Sequence, residues 1–210
     1  MFNIYYQYPQ YLWANEIYSL IQKYNLLERR TLIDAPCGNG VISYWLHKKF
    51  NINRIELIDN SEKDIETAEK YLPFMDISCK NILDLDSNLI KDDIWLFINS
   101  LYCLNDGELI INHLKKRSKY IIGIFPHIDH INYKSFFEKN PNFINPTELN
   151  VSDTIRLFNS AGYDLLYKNS ITYFSYHKYT FRGSRIIFNL FDNFFSARKG
   201  AYWISLFKRR

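Results

Sequence analysis

Residues 30–40 read RTLIDAPCGNG. The apolar pair Leu32–Ile33 ends in an acid, Asp34, and a proline, a cysteine and two glycines follow. The chain holds only seven glycines in 210 residues. Two of them two residues apart, straight after a strand-like run, mark a tight turn or a loop whose backbone comes close to a ligand. Downstream, Val41, Ile42, Trp45 and Leu46 in VISYWLHKKF recur at helical spacing, so the loop joins a strand (31–35) to a helix (41–50).

The same alternation continues along the chain. A helix over 11–24 precedes the loop. A second strand is expected at 54–58 and a helix at 61–72, with Ser61 as N-cap and Asp64 three residues on. Strands follow at 76–80 and 93–98, then a helix at 106–117 with Asp106 as cap and Lys115, Lys116 and Arg117 at its negative end. The run YIIGIF (120–125) is apolar throughout, as in a strand covered on both faces. A helix at 151–161 closes on Gly162, and two last strands are expected at 163–173 and 201–207. Strands alternating with helices imply a parallel sheet covered on both faces, with ligands bound where the strands end. The loops after Asp34, Asp59, Lys80, Ile98 and Phe125 therefore share one rim.

The chemistry of that rim narrows the ligand. A dinucleotide fingerprint would need glycines at 36, 38 and 41, where the chain has Pro36, Gly38 and Val41. Neither a G-K-[ST] phosphate loop nor a G-x-S-x-G elbow occurs. Asp34 beside the loop disfavours a phosphate and suits an ammonium or sulfonium. Asp59, ending the second strand, can accept from the two hydroxyls of a ribose. The implied ligand is adenosine-like, positively charged, and carries little or no phosphate.

Four segments in order, LIDAPCGNG, IELIDNSEKDIETAEKY, CKNILDL and DDIWLFINSLY, resemble the motifs of class I S-adenosylmethionine-dependent methyltransferases over about residues 32–126. The resemblance implies an α/β, Rossmann-like doubly wound fold: a mostly parallel seven-stranded sheet, helices on both faces, and an antiparallel last strand. It implies S-adenosyl-L-methionine as cofactor and S-adenosyl-L-homocysteine as product. Its site residues map onto Asp34, Cys37, Gly38 and Gly40 in the first motif and Asp59 and Asn60 in the second. Asn81 and Ile82 come from the third, with Asn81 toward the adenine amine, and Asn99 and Ser100 from the fourth. Pro36 replaces the first motif glycine, and Asn81 stands where an acid or amide is usual. Asn99–Tyr102 (NSLY) lacks both prolines of the N-P-P-Y box of adenine amino-methyltransferases and is read as a loop.

Methyl transfer is an in-line displacement, and an oxygen acceptor needs a base. His127 and His130, in FPHIDH after the fifth strand, are placed for that role. A plain polar loop or a metal site with Asp129 are the other readings; no metal is expected. Tyr6 and Tyr11 offer aromatic faces to a sulfonium, and Arg182 and Arg185 offer charge to an anionic acceptor. His47 and His113 are read as structural. Ile187, Leu190, Phe191, Phe194 and Phe195 fall on one helical face, fitting a cap, a dimer surface or a membrane-surface helix.

One domain over 1–210 is expected: a helical cap (1–28), a cofactor-binding core (29–126) and substrate-side lid insertions (127–150 and 174–200). The chain is 47% hydrophobic and 18% aromatic, enough for a core with rings to spare. Its net charge of +4 is uneven: residues 176–210 hold eight basic residues and one acid, Asp192. That segment is open to two readings, a solvated cluster or a contact for an anionic substrate, nucleic acid or membrane face. Cys37, Cys79 and Cys103 are dispersed and form no C-x-x-C, which fits a reducing, cytoplasmic setting. Neither a signal peptide nor a membrane span is expected. The activity expected is methylation of a small polar acceptor, at oxygen of a carbohydrate or of a phosphorylated or anionic intermediate. Nucleic acid is not the expected partner. The alternatives are an RNA or protein methyltransferase with the basic C-terminus as footprint, and a cofactor-binding partner subunit without activity.

Overall fold

The computed structural model describes residues 8–28, 30–86, 93–101, 107–127, 151–171 and 202–210. Their elements run α1 (Tyr8–Lys23), β1 (Leu32–Asp34), α2 (Val41–Phe50), β2 (Ile55–Asp59), α3 (Glu62–Tyr71), β3 (Asp76–Cys79) and a 3₁₀ turn (Ile82–Asp84). Then come β4 (Asp93–Ile98), α4 (Gly107–Leu114), β5 (Ser118–Pro126), α5 (Val151–Ser160), β6 (Tyr163–Ile171) and β7 (Tyr202–Arg209).

The strands form one seven-stranded sheet in the order β3-β2-β1-β4-β5-β7-β6. β3, β2, β1, β4 and β5 pair in parallel, while β7 pairs antiparallel with both β5 and β6. The chain therefore reverses out from β1, and the crevice beside that reversal is the place for a ligand.

Alternation along the strands builds two cores. Leu32, Leu57, Leu96, Ile122, Ile124, Ile204 and Leu206 face α1 and α2, where Trp13, Ile17, Ile21, Ile42 and Leu46 are buried. Ile33, Ile58, Trp95, Phe97, Ile121, Phe125, Trp203 and Phe207 face the other way, against Ile110, Ile111 and Leu114 of α4 and Phe158 of α5. In that second layer Phe158 and Phe207 stack at 4.0 Å, and the Phe125 ring lies over Gly123, where a Cβ would meet it at 2.1 Å. Full burial on both faces is why these strands read as apolar runs.

Some element ends differ from the sequence reading. α4 stops at Leu114 because Arg117 turns back to the Leu114 carbonyl (2.9 Å) and Ser118 already pairs with Asp93 in the sheet. β7 runs to Arg209 because Tyr163 continues the ladder opposite it. Asp106, the lid insertions beyond His127 and the aromatic helical face at 187–195 lie outside the described residues. Among the described residues no helix is long and apolar enough to cross a membrane.

Candidate cofactor site

The Asp34–Gly40 loop leaves β1 at the carboxyl rim and turns into α2. Gly38 and Gly40 both have left-handed backbone, at φ 52° and 72°, a conformation that favours glycine. The Ala35–Pro36 peptide is cis. The Cys37 N–H donates to Ile58 O (3.0 Å) and the Gly40 N–H to Cys37 O (3.1 Å), which ties the loop to β2 and closes its turn.

The two glycines do different work. A Cβ on Gly40 would sit 2.8 Å from Leu57 Cδ2, 3.1 Å from Leu72 Cδ1 and 3.3 Å from Ala68 Cβ. Gly40 thus lets α2 close onto β2 and α3. A Cβ on Gly38 would meet nothing within 4 Å, so its free side faces open space. Both glycines are expected at the cofactor; the geometry adds that Gly40 is also where the loop packs against β2 and α3, while Gly38 has open space beside it.

Asp59 holds the rim together. Its Oδ2 accepts from the Gly38 N–H (2.7 Å) and its Oδ1 from the Ser61 N–H (3.0 Å), so it clamps the glycine loop to the start of α3. Ser61 is the N-cap of α3 and accepts from the Asp64 N–H. Each Asp59 oxygen keeps lone-pair capacity beyond its one bond.

Asp34 is 1% exposed. Its Oδ2 accepts from the Ser43 hydroxyl at 2.6 Å, a fully buried group on the first turn of α2. Burial pushes the Asp34 carboxyl up to about 7, with Ser43 opposing and the Asp59 charge adding to the rise. No cation among the described residues pairs with Asp34 or Asp59. Burial, then Asp34 and Asp59, also push the Cys37 thiol up, so it is a neutral wall of the loop.

The remaining predicted residues sort by position. Asn60 is exposed beside Asp59. Asn81 is exposed and caps the 3₁₀ turn, its side-chain oxygen accepting from the Leu83 N–H (3.0 Å), while Ile82 is buried beneath it. Asn99 follows β4 with left-handed φ 53° and donates its N–H to Ile124 O (2.7 Å). Ser100 is buried, and among the described residues its hydroxyl has no hydrogen-bond partner. His127 follows β5, with Nε2 3.3 Å from Ser170 Oγ on β6. Tyr11 lies edge-on to Trp45 of α2 at 5.2 Å. Tyr6, His130, Arg182 and Arg185 lie outside the described residues. His47 and His113 bind the carbonyls of Ile52 and Leu85.

Ser43 escaped the sequence reading. One signal pointed to it: it lies three residues before Leu46, a polar residue on the inward stripe of an amphipathic helix.

Part of the basic C-terminal segment lies among the described residues. β7 runs antiparallel, and Lys208 pairs opposite Tyr120 near the start of β5, so Lys208–Arg210 lie on the rim opposite the glycine loop. There Arg209 donates to the carbonyls of Lys115 and Lys116 after α4, and Arg210 pairs with Asp164 (2.8 Å).

The site fits an S-adenosylmethionine-like group in kind: open space beside Gly38 for a ligand's backbone-close end, acceptors at Asp59, and an uncompensated carboxylate at Asp34. No family model and no curated protein match the chain. Solved structures do. Magnesium protoporphyrin IX methyltransferase (ChlM) from Synechocystis PCC 6803, with bound SAH, aligns at TM-score 0.66 and 14% identity, covering 95% of this chain and 83% of that one. The mitomycin 7-O-methyltransferase MmcR aligns at TM-score 0.62 and 15% identity over 86% of this chain, which spans about half (49%) of that one. The fold is that of class I methyltransferases. It is not confined to methyl transfer: the [4+2]-cyclase SpnF aligns at TM-score 0.60 and 14% identity, covering 90% of this chain and 80% of that one.

Proposed function

We propose that the chain is a cytoplasmic S-adenosylmethionine-dependent methyltransferase acting on a small polar acceptor, at oxygen of a carbohydrate or of a phosphorylated or anionic intermediate. The observation that carries this reading is the Asp59 clamp beside the open face of Gly38, with a second buried carboxylate, Asp34, that no described cation neutralises. Two acids so placed suit a ribose and a cation, and repel a pyrophosphate.

In this reading the spare lone pairs of Asp59 accept from the ribose hydroxyls, with Asn60 beside them. Asn81 and Ile82 border the adenine, and Asn99 and Ser100 the opposite side of the crevice. The Gly38 backbone lies against the amino-acid end, whose ammonium faces Asp34. When bound, the cofactor supplies an electrophilic methyl on a sulfonium. The chain then contributes chiefly position, a large part of the rate in such displacements. His127 and His130 take the acceptor's proton. Arg182 and Arg185 hold an anionic acceptor, and Tyr6 and Tyr11 close the pocket. Residues 127–150 and 174–200 form the acceptor-side lid.

The test is transfer of labelled methyl from S-adenosylmethionine to four acceptor pools: neutral sugars, phosphorylated sugars, RNA and protein. The reading expects label in a sugar pool. Asp59→Ala should weaken S-adenosylhomocysteine binding about 100-fold, the loss of two hydrogen bonds to a charged group. Unchanged affinity would remove Asp59 from the ribose role. The cyclase neighbour favours a second reading, a protein of this fold that does not itself transfer methyl. S-adenosylhomocysteine binding with no label in any of the four pools, with or without a second subunit, would support it.

A further inference from the structure

Asp34 poses a problem that packing does not solve. A carboxyl buried to 1% exposure in a mostly apolar layer costs stability unless something holds its charge. β2 and β4 bring Leu57 and Leu96 to its register. The charged or titratable groups that reach it are Asp59 from β2, which repels, and the neutral Cys37 thiol from the loop. One group favours the ionised form: the Ser43 hydroxyl of α2, donating at 2.6 Å. Oδ1 accepts no hydrogen bond from the described residues. Ser43 is itself fully buried, and among the described residues its hydroxyl has no other partner. The first turn of α2 adds the positive end of the helix dipole beside the acid.

We propose that Ser43 is a positioning residue: it turns Asp34 toward the cationic group of the cofactor and favours its ionised form, so that this pair gates cofactor affinity by pH. The proposal rests on the methyltransferase reading of the site. When Asp34 is protonated, a cationic ligand finds no countercharge there and binds weakly. When it is ionised, the ligand's cation replaces the solvation that burial removed. Ser43 sets where along the pH scale that change falls.

Two measurements test it on the full chain. In the ligand-free protein, carbon-13 carboxyl NMR should show Asp34 titrating near neutrality, and about one pH unit higher in Ser43→Ala, the scale of a lost hydrogen bond to a carboxylate. Calorimetry with S-adenosylhomocysteine should show affinity rising with pH between about pH 5.5 and about 8.5 in both proteins. Ser43→Ala should bind about fivefold more weakly at about pH 7 and about tenfold more weakly by about pH 6, and converge on the parent at the alkaline end. Ser43→Thr, which keeps the hydroxyl, should restore the parent's midpoint. An Asp34 titration unmoved by Ser43→Ala, or an affinity loss of one size at every pH, would overturn the proposal and leave Ser43 a packing residue. If the parent protein binds neither S-adenosylmethionine nor S-adenosylhomocysteine, the cofactor reading fails and the gating with it; the NMR shift then reports the Ser43–Asp34 coupling separately.

Discussion

The two rims of the sheet treat charge in opposite ways. On the rim where the parallel strands begin, three arginines each hold a hydrogen-bond or ion-pair partner. Arg209 covers the carbonyls after α4, Arg210 meets Asp164, and Arg117 donates to Asp86 O (3.1 Å). On the rim where they end, Asp34 and Asp59 are both buried, the Asp59 charge adds to the rise of the Asp34 carboxyl, and no described cation pairs with either. Matched charge stabilises a fold. Unmatched buried charge costs stability and is retained where a ligand completes it. The two acids mark this rim as the candidate site.

The largest expected effect separates the two glycines within the site rim. Gly40→Ala places a Cβ 2.8 Å from Leu57 at φ 72°. Chemical denaturation should show a loss of about 3 kcal/mol, from left-handed strain plus overpacking. Gly38→Ala has strain without the clash and should lose about 1 kcal/mol, while its new methyl intrudes on the ligand's space and lowers cofactor affinity about tenfold. Equal stability losses in the two variants would break the division of labour.

A pH series sharpens the contrast between the rims. The folded protein keeps the Asp34 proton up to about 7, against an ordinary value of 3.8. Between those values the native state holds a proton the unfolded chain has released, so stability falls as pH rises through the window. Asp34→Asn should flatten that fall. A fall of the same slope in Asp34→Asn would mean that Asp34 is not the group responsible.

On the opposite rim, Arg209→Ala should cost about 1 kcal/mol, the scale of lost hydrogen bonds to carbonyls, with cofactor affinity unchanged. A changed affinity there would tie the two rims together and undo the contrast. Smaller still, breaking the exposed Arg210–Asp164 pair should move stability by no more than about 0.5 kcal/mol.

Much of this fold was legible from local pattern. α2 (Val41–Phe50) and β4 (Asp93–Ile98) run over the residues their periodicity marks, because an amphipathic stripe and a doubly buried strand each leave a strong local signature. The acids at the ends of β1 and β2 were legible for the same reason, being strand ends before turns. What was not legible depends on contacts across the fold. The sequence treats Gly38 and Gly40 alike, and only the approach of Leu57, Leu72 and Ala68 distinguishes them. The Ser43–Asp34 bond joins a helix turn to a strand end, and nothing in the spacing of the two residues announces it. The antiparallel β7 that sends Lys208–Arg210 to the far rim was expected from the family resemblance, not from any local pattern in the basic tail.

The central claim is that the Asp34–Gly38–Asp59 rim binds S-adenosylmethionine. Isothermal calorimetry of the whole chain with S-adenosylmethionine and S-adenosylhomocysteine tests it most directly. The account predicts one saturable site for each, weakened sharply by Asp59→Ala in a variant that remains folded. No heat of binding from either ligand, with the protein shown to be folded, would contradict it.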